Sequence, residues 1–449
     1  MQTIDSVIDA RWVIPVEPAR RVLDHHAVAV HEGRIIDILP SSEVAKRYDP
    51  HERVPLATHA LIPGLVNTHT HAAMSLFRGL ADDLPLMSWL RDHIWPAEAR
   101  WANREFCRDG ALLGAIEMLK GGVTCFNDMY FFPDATAQAA REARMRACIG
   151  LIVIDFPTAW AKTADEYFAK GLDLRDDLRT SALLSTALAP HAPYTVSDEA
   201  LTRIRVLADQ LDLPVHMHVH ETAGEVTDGE AAYGVRPIAR LQALGLISHR
   251  LIAVHMTQLA EEEIALLAQQ GTHVVHCPES NLKTASGFCP VAKLDAMGVN
   301  VAIGTDGAAS NNDLDLMGEM RTAALLAKGV AGDPTVVAAH RALAMATING
   351  ARALGLEEQI GSLVPGKAAD LVAIDLSHVS TQPIYDALSQ IVYSASRHQV
   401  TDVWVAGQPL VRARRLVHLD EHAILDRAHE WQTRIAEAMA GTAREGIAG

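Results

Sequence analysis

Between residues 60 and 310, eight short runs of apolar and β-branched residues alternate with stretches of helical periodicity. The runs are 60–71, 123–130, 147–155, 183–191, 214–221, 251–258, 272–280 and 299–306. Helical spacing is plain between several of them, as in 106–120, where Leu112, Leu113, Ile116 and Leu119 share a face, and again in 200–210 and 261–270. Strands that read as near-continuous apolar runs are strands covered on both faces, which is the condition of a parallel sheet built from βα units. Eight such units over about 250 residues predict a closed (β/α)8 barrel rather than an open sheet, and the barrel is assigned to residues 60–360.

The two ends read differently. Residues 1–59 and 361–449 hold short strands bounded by Gly turns, among them 27–30, 32–36, 369–374 and 403–407. They predict a small β-sandwich domain formed from both chain ends, with a helix over 421–439 packed outside. The segment Gly361-Ser-Leu-Val-Pro-Gly366-Lys367-Ala368 nearly spells a phosphate-binding loop, but it lacks the final Ser/Thr and leads into a strand. Without a helix N-terminus there is no seat for an anion, so the segment reads as a β-turn.

Charge and composition exclude several functions. With 39 Lys+Arg against 55 Asp+Glu the formal net charge is −16, and the densest basic cluster is Arg412, Arg414 and Arg415. That is too short to follow a nucleic-acid backbone, so no nucleic-acid partner is expected. The N-terminus lacks the basic and apolar regions of a signal peptide, and no run approaches 18 uncharged apolar residues, so no membrane association is expected. Five scattered cysteines without a C-x-x-C pair read as reduced thiols in a cytoplasmic protein. Amphipathic outer helices leave a homo-oligomer open.

Catalytic groups in such a barrel come from the C-terminal ends of the strands. Those ends carry His69 and His71 on the first, His191 on the fourth, and His218 with Glu221 on the fifth; His255, His276 and Asp306 end the sixth, seventh and eighth. Alternation places residues i and i+2 on one face, so His69 and His71 can hold one ion together. A lone histidine near a strand end is usually a hydrogen-bonded core residue; four strand ends all offering ligands indicate a metal site. Imidazole nitrogens with a carboxylate oxygen suit zinc, with iron as the alternative.

The string Pro63-Gly-Leu-Val-Asn-Thr-His69-Thr-His71, then His218-Val-His-Glu221, His255 and Gly304-Thr-Asp306-Gly, resembles the amidohydrolase superfamily over essentially the whole chain. The resemblance implies His69, His71, His218 and Asp306 as metal ligands, His255 as the group holding the water or oxyanion, and Glu221 as proton shuttle. Asp306 would also take the water's proton. Two-metal members carry a bridging carboxylated lysine on the fourth strand; 183–191 has none, so one metal is expected, and with it deaminase chemistry.

Within the superfamily, the segment from Ala73 through Trp89-Leu90 to Ile94-Trp-Pro-Ala-Glu98 is similar to the deaminases of 5′-methylthioadenosine and S-adenosylhomocysteine. There it implies a lid in which Glu98 takes the ribose hydroxyls and Trp89 forms the apolar wall, while His191 contacts the nucleoside. Members that bind the homocysteine portion use arginines near the third strand; residues 149–169 contain only Lys162, a point charge without the bidentate fork. The expected reaction is therefore zinc-dependent hydrolysis of 5′-methylthioadenosine to 5′-methylthioinosine and ammonia, with S-adenosylhomocysteine or adenosine as further substrates. The rivals are a triazine chlorohydrolase or aminohydrolase, a guanine or cytosine deaminase, and, in another class, a non-catalytic barrel scaffold.

Overall fold

A computed structural model describes residues 1–447, with side chains through residue 439. Its barrel strands are β1 (Leu65–Thr70), β2 (Val123–Asp128), β3 (Arg146–Val153), β4 (Leu184–Pro190), β5 (Val215–Val219), β6 (Leu251–His255), β7 (His273–His276) and β8 (Asn300–Ile303). Each pairs in parallel with the next, so the eight apolar runs are the eight strands of one sheet. Helices such as Arg104–Lys120, Asp198–Leu211 and Glu261–Gln270 cover its outer face. The first two start on side-chain caps from Asn103 and Ser197, which satisfy backbone N–H groups that have no partner in the first turn.

β8 returns to β1 through side chains more than through a backbone ladder. Asn67 Nδ2 donates to Thr305 Oγ1 at 2.8 Å, Thr305 N donates to Asn67 Oδ1 at 3.1 Å, and Asp306 N donates to His69 O at 3.1 Å. This closure requires Gly304, because a Cβ there would stand 2.7 Å from His69 Cβ and 2.9 Å from its backbone. The barrel thus closes at the point where the strand-end ligands must meet.

Several runs are longer in the sequence than the strands they produce. The first, 60–71, is divided at Gly64: Ala60 to Pro63 end the long strand Tyr48–Pro63 of the other sheet, and only Leu65–Thr70 enters the barrel. The seventh stops at His276, because Pro278 opens the helix Pro278–Lys283. Strands from both chain ends form a second, mixed sheet. All eight of its described strands share one hydrogen-bonded sheet. The sheet curls so that Gly33 meets Ala406 and Ala369 N donates to Gly33 O at 2.9 Å, which encloses a core around Ile8, Leu61, Leu371 and Trp404. A buried bidentate pair, Arg146 to Asp370 at 3.0 and 3.1 Å, ties it to the barrel. The helix Glu421–Ile447 lies against the helix Arg104–Lys120. No helix among the described residues is long and apolar enough to cross a membrane.

Candidate active site

Each of the three expected histidine ligands is held by a hydrogen bond at its far nitrogen. His71 Nδ1 donates to Met129 O at 2.5 Å, His218 Nδ1 donates to His191 O at 2.7 Å, and His69 Nδ1 lies 2.8 Å from His216 Nε2. Fixing Nδ1 in this way selects the tautomer whose Nε2 lone pair is free for a metal. His69 Nε2 and His71 Nε2 both lie 3.3 Å from Asp306 Oδ1. The ring centroids of His69 and His218 are 4.9 Å apart, and those of His71 and His218 5.3 Å.

Charge and burial at this point favour a cation. Burial pushes the His69 imidazole down to about 4 and His218 well below the ordinary range, so both are neutral at pH 7, as ligands must be. For Asp306 burial works the other way, but the His69 and His71 imidazoles, each 3.3 Å from Oδ1, hold the carboxylate ionised. Burial likewise opposes a charge on His71, but Asp306 outweighs it and lifts that imidazole to about 9. The carboxylate calls for positive charge between itself and the imidazoles. A divalent cation meets that demand, and it also satisfies His69 Nε2, which is buried without a hydrogen bond among the described residues. The ligand atoms of His69, His71 and Asp306 lie within 4.8 Å of one another, as do those of His69, His218 and His255, and imidazole nitrogens with a carboxylate oxygen fit zinc or iron.

Asp306 is held to the task by its other contacts. Its Oδ2 accepts from Ser280 Oγ at 2.6 Å and Ser310 Oγ at 2.8 Å, and Oδ1 accepts from Gly307 N at 2.8 Å. Both Asp306 and His255 have left-handed backbone, φ 60° and 75°, a conformation that non-glycine residues keep only where surrounding contacts enforce it. His255 anchors Nδ1 on Asn281 Oδ1 at 2.9 Å and brings Nε2 to 3.8 Å from Glu221 Oε1. Glu221 is pushed up by burial, the direction that keeps a proton available near neutrality. The turn that presents it is held by Glu225, whose carboxylate accepts the N–H groups of His220 and Glu221 at 2.8 and 2.7 Å.

Above these groups a cavity of about 770 Å³ is lined by His71, His218, His255, Glu221 and Asp306 at its floor and by Trp89, Glu98 and His191 on its walls. The segment after β1 forms the roof: a 3-10 turn, Ala72–Phe77, then the continuous helical stretch of Leu86–Ser88, the π-helical turn Trp89–Ile94 and Trp95–Trp101. Trp89 is buried, with Nε1 donating to Ala81 O at 3.1 Å. Glu98 is half-buried, and burial pushes its carboxyl up to about 7, while Tyr130 and His71 pull the other way. His191 is pushed down to about 3 by burial and bonds Thr195 Oγ1 at 3.0 Å. Ile152, Ile154 and Phe156 make the far wall apolar, and Lys162 is the only Lys or Arg among the described lining residues, its Nζ donating to Thr158 O at 2.6 Å.

The fold therefore brings eight of the nine expected site residues to one cavity wall, with His69 buried just beneath them. His276 is the strand-end histidine that it does not bring there: it is buried at the end of β7, away from the wall, and the neighbouring Cys277 is buried at the start of the helix Pro278–Lys283. Sequence reasoning missed His216, Ser280, Asn281 and Ser310. His216 carried a signal, being two residues before His218 and so on the same inward face of β5; the others lie on loops and short turns with no periodicity to mark them.

Comparison with known proteins agrees with this geometry. The amidohydrolase family model matches residues 60–410. A 5-methylthioadenosine/S-adenosylhomocysteine deaminase of Teredinibacter turnerae is 51% identical over 433 residues, covering 96% of this chain and 98% of that protein. A zinc-bound crystal structure of an adenosine deaminase from Xanthomonas campestris superposes with a TM-score of 0.96 at 55% identity, covering 97% of this chain and 99% of that one. An atrazine chlorohydrolase of Arthrobacter aurescens, with zinc, gives a TM-score of 0.88 at 24% identity over 95% of this chain and 99% of its own, a likeness of fold alone.

Proposed function

Because this chain belongs to the amidohydrolase family, we propose that it is a zinc-dependent hydrolytic deaminase of adenine nucleosides, converting 5′-methylthioadenosine to 5′-methylthioinosine and ammonia. S-adenosylhomocysteine and adenosine are its further substrates. The observation that carries this reading is that Glu98, on the lid, and the His69–His71–His218–Asp306 set, at the barrel mouth, meet at one cavity. A site for free bases or triazines needs no carboxylate at that distance from the metal ligands, and a scaffold needs no complete ligand set. The five free, buried thiols fit a cytoplasmic enzyme.

His69, His71, His218 and Asp306 would hold one zinc ion. When bound, it makes hydroxide available at neutral pH by lowering the pKa of water from about 16 towards 7. Asp306 takes the proton that the water gives up. Glu221 delivers a proton to N1 of the adenine ring as hydroxide attacks C6. His255 faces the oxygen that develops there, an electrostatic contact of roughly 3 kcal/mol. A proton relayed to the exocyclic nitrogen lets the C6–N bond break; ammonia leaves, and C6 keeps the oxygen as a carbonyl. Glu98 accepts the ribose hydroxyls, His191 contacts the nucleoside, and Trp89 with its apolar neighbours encloses the rest. A wall with Lys162 alone favours the uncharged methylthio group over the charged homocysteine end.

The test is ammonia release from 5′-methylthioadenosine, S-adenosylhomocysteine, adenosine, guanine and cytosine by enzyme of known metal content. Turnover of the nucleosides, fastest on 5′-methylthioadenosine, is the expected result. Activity on free bases only would refute the role of Glu98, and equal kcat/KM on the two thioethers would refute the preference argued from Lys162.

A further inference from the structure

Tyr130 follows directly on β2, in the same turn as Met129, whose carbonyl orients the metal ligand His71. Its ring stands 6.4 Å from that of His71, and its hydroxyl adjoins the lid carboxylate Glu98. The side chain is 4% exposed and lines the cavity; its hydroxyl reaches toward the Glu98 carboxylate but makes no aligned hydrogen bond with it or with any other group among the described residues. An unpaired buried hydroxyl costs on the order of 1–3 kcal/mol, and such a group at a cavity wall is a donor held ready for a ligand.

We propose that Tyr130 is a specificity-determining residue of the ribose seat. Its hydroxyl donates to the oxygen of one ribose hydroxyl, and the protons of the vicinal diol go to the Glu98 carboxylate. The inference rests on the adenine-nucleoside reading above and extends it to a second residue. A carboxylate alone can only accept; a ribose hydroxyl offers a proton and a lone pair together. A donor beside the acceptor matches both, and a sugar that lacks the hydroxyl leaves both protein groups unpaired. That arrangement rejects deoxy sugars more strongly than a carboxylate can by itself.

The experiment measures kcat/KM of the zinc-loaded enzyme and of Y130F on adenosine and on 2′,3′-dideoxyadenosine, together with the melting temperature of each protein without nucleoside. Y130F should reduce the preference for adenosine over the dideoxy analogue about tenfold, mainly through KM on adenosine. Its melting temperature should equal or exceed that of wild type, since the hydroxyl it loses is unpaired in the free protein. A wild-type preference that survives intact in Y130F would overturn the role of Tyr130, as would a clear fall in its melting temperature. Equal kcat/KM of wild-type enzyme on the two sugars would overturn the whole ribose seat, Glu98 included.

Discussion

His216 holds His69 from behind: its Nε2 lies 2.8 Å from His69 Nδ1, with both rings wholly buried. For His69 to present a lone pair at Nε2 it must keep its proton on Nδ1, and His216 is the acceptor for that proton. We expect H216A to bind zinc about ten- to a hundredfold more weakly, with kcat largely restored at saturating metal. Competition against a chromogenic chelator reads the affinity directly. Unchanged affinity would make His216 a packing residue only.

In the proposed mechanism Glu221 carries a proton and is not a ligand. E221Q should therefore retain stoichiometric metal and the wild-type melting temperature while kcat falls by about 10²–10⁴. Metal analysis and steady-state kinetics on the same preparation separate this from H218A, which should lose metal as well.

Glu98 makes stability and binding depend on pH in opposite senses. Burial lifts its carboxyl to about 7 in the folded protein from the ordinary glutamate value of 4.5. Between those values the folded chain keeps a proton that the unfolded chain has lost, so the group's contribution to stability is complete below about 4.5 and is lost as pH rises through about 7. The ionised form is the better acceptor for two hydroxyls, so KM for adenosine should fall over the same rise. Calorimetry and kinetics from acid to mildly alkaline pH, spanning both values, should show both trends in wild type and neither component in E98Q. Parallel curves for the two proteins would refute this account.

Trp431 connects the far end of the chain to the lid. It is 2% exposed, donates Nε1 to Asp109 Oδ2 at 3.1 Å, and meets Phe106 and Trp101 edge-on at 5.3 and 6.4 Å between centroids. Trp101 ends the same helix that carries Glu98. W431A should cost about 3–5 kcal/mol in stability and raise KM for nucleosides more than it lowers kcat. W431F should recover most of both, and a kcat loss without a KM change would exclude an effect through the lid.

The barrel was legible because its evidence is local. A strand covered on both faces must be apolar at every position, and a helix on a sheet must repeat every three or four residues. Both patterns survive in a one-dimensional reading, as at Leu251–His255 or Glu261–Gln270. The candidate ligands were legible for a related reason: strand alternation puts His69 beside His71, and the C-terminal ends of parallel strands must share one rim. The lid and its Glu98 came through resemblance, since a π-helical turn leaves no period to read.

What stayed hidden were relationships between groups distant in the chain. Nothing near Ser280 or Ser310 announces that both bond one oxygen of Asp306, and nothing near Tyr130 announces Glu98, 32 positions away. The end of a run is also decided in three dimensions: Ala60 to Pro63 are more apolar than Leu65–Thr70, yet Pro63 lies opposite Leu371 in the other sheet. Residue type and periodicity determine which side chains can be ligands, acids or walls, because those properties belong to one residue and its neighbours. Which of them act is decided by tertiary structure, because hydrogen-bond direction, burial and the sharing of charge among His69, His71 and Asp306 exist only once separate strands stand a few ångströms apart.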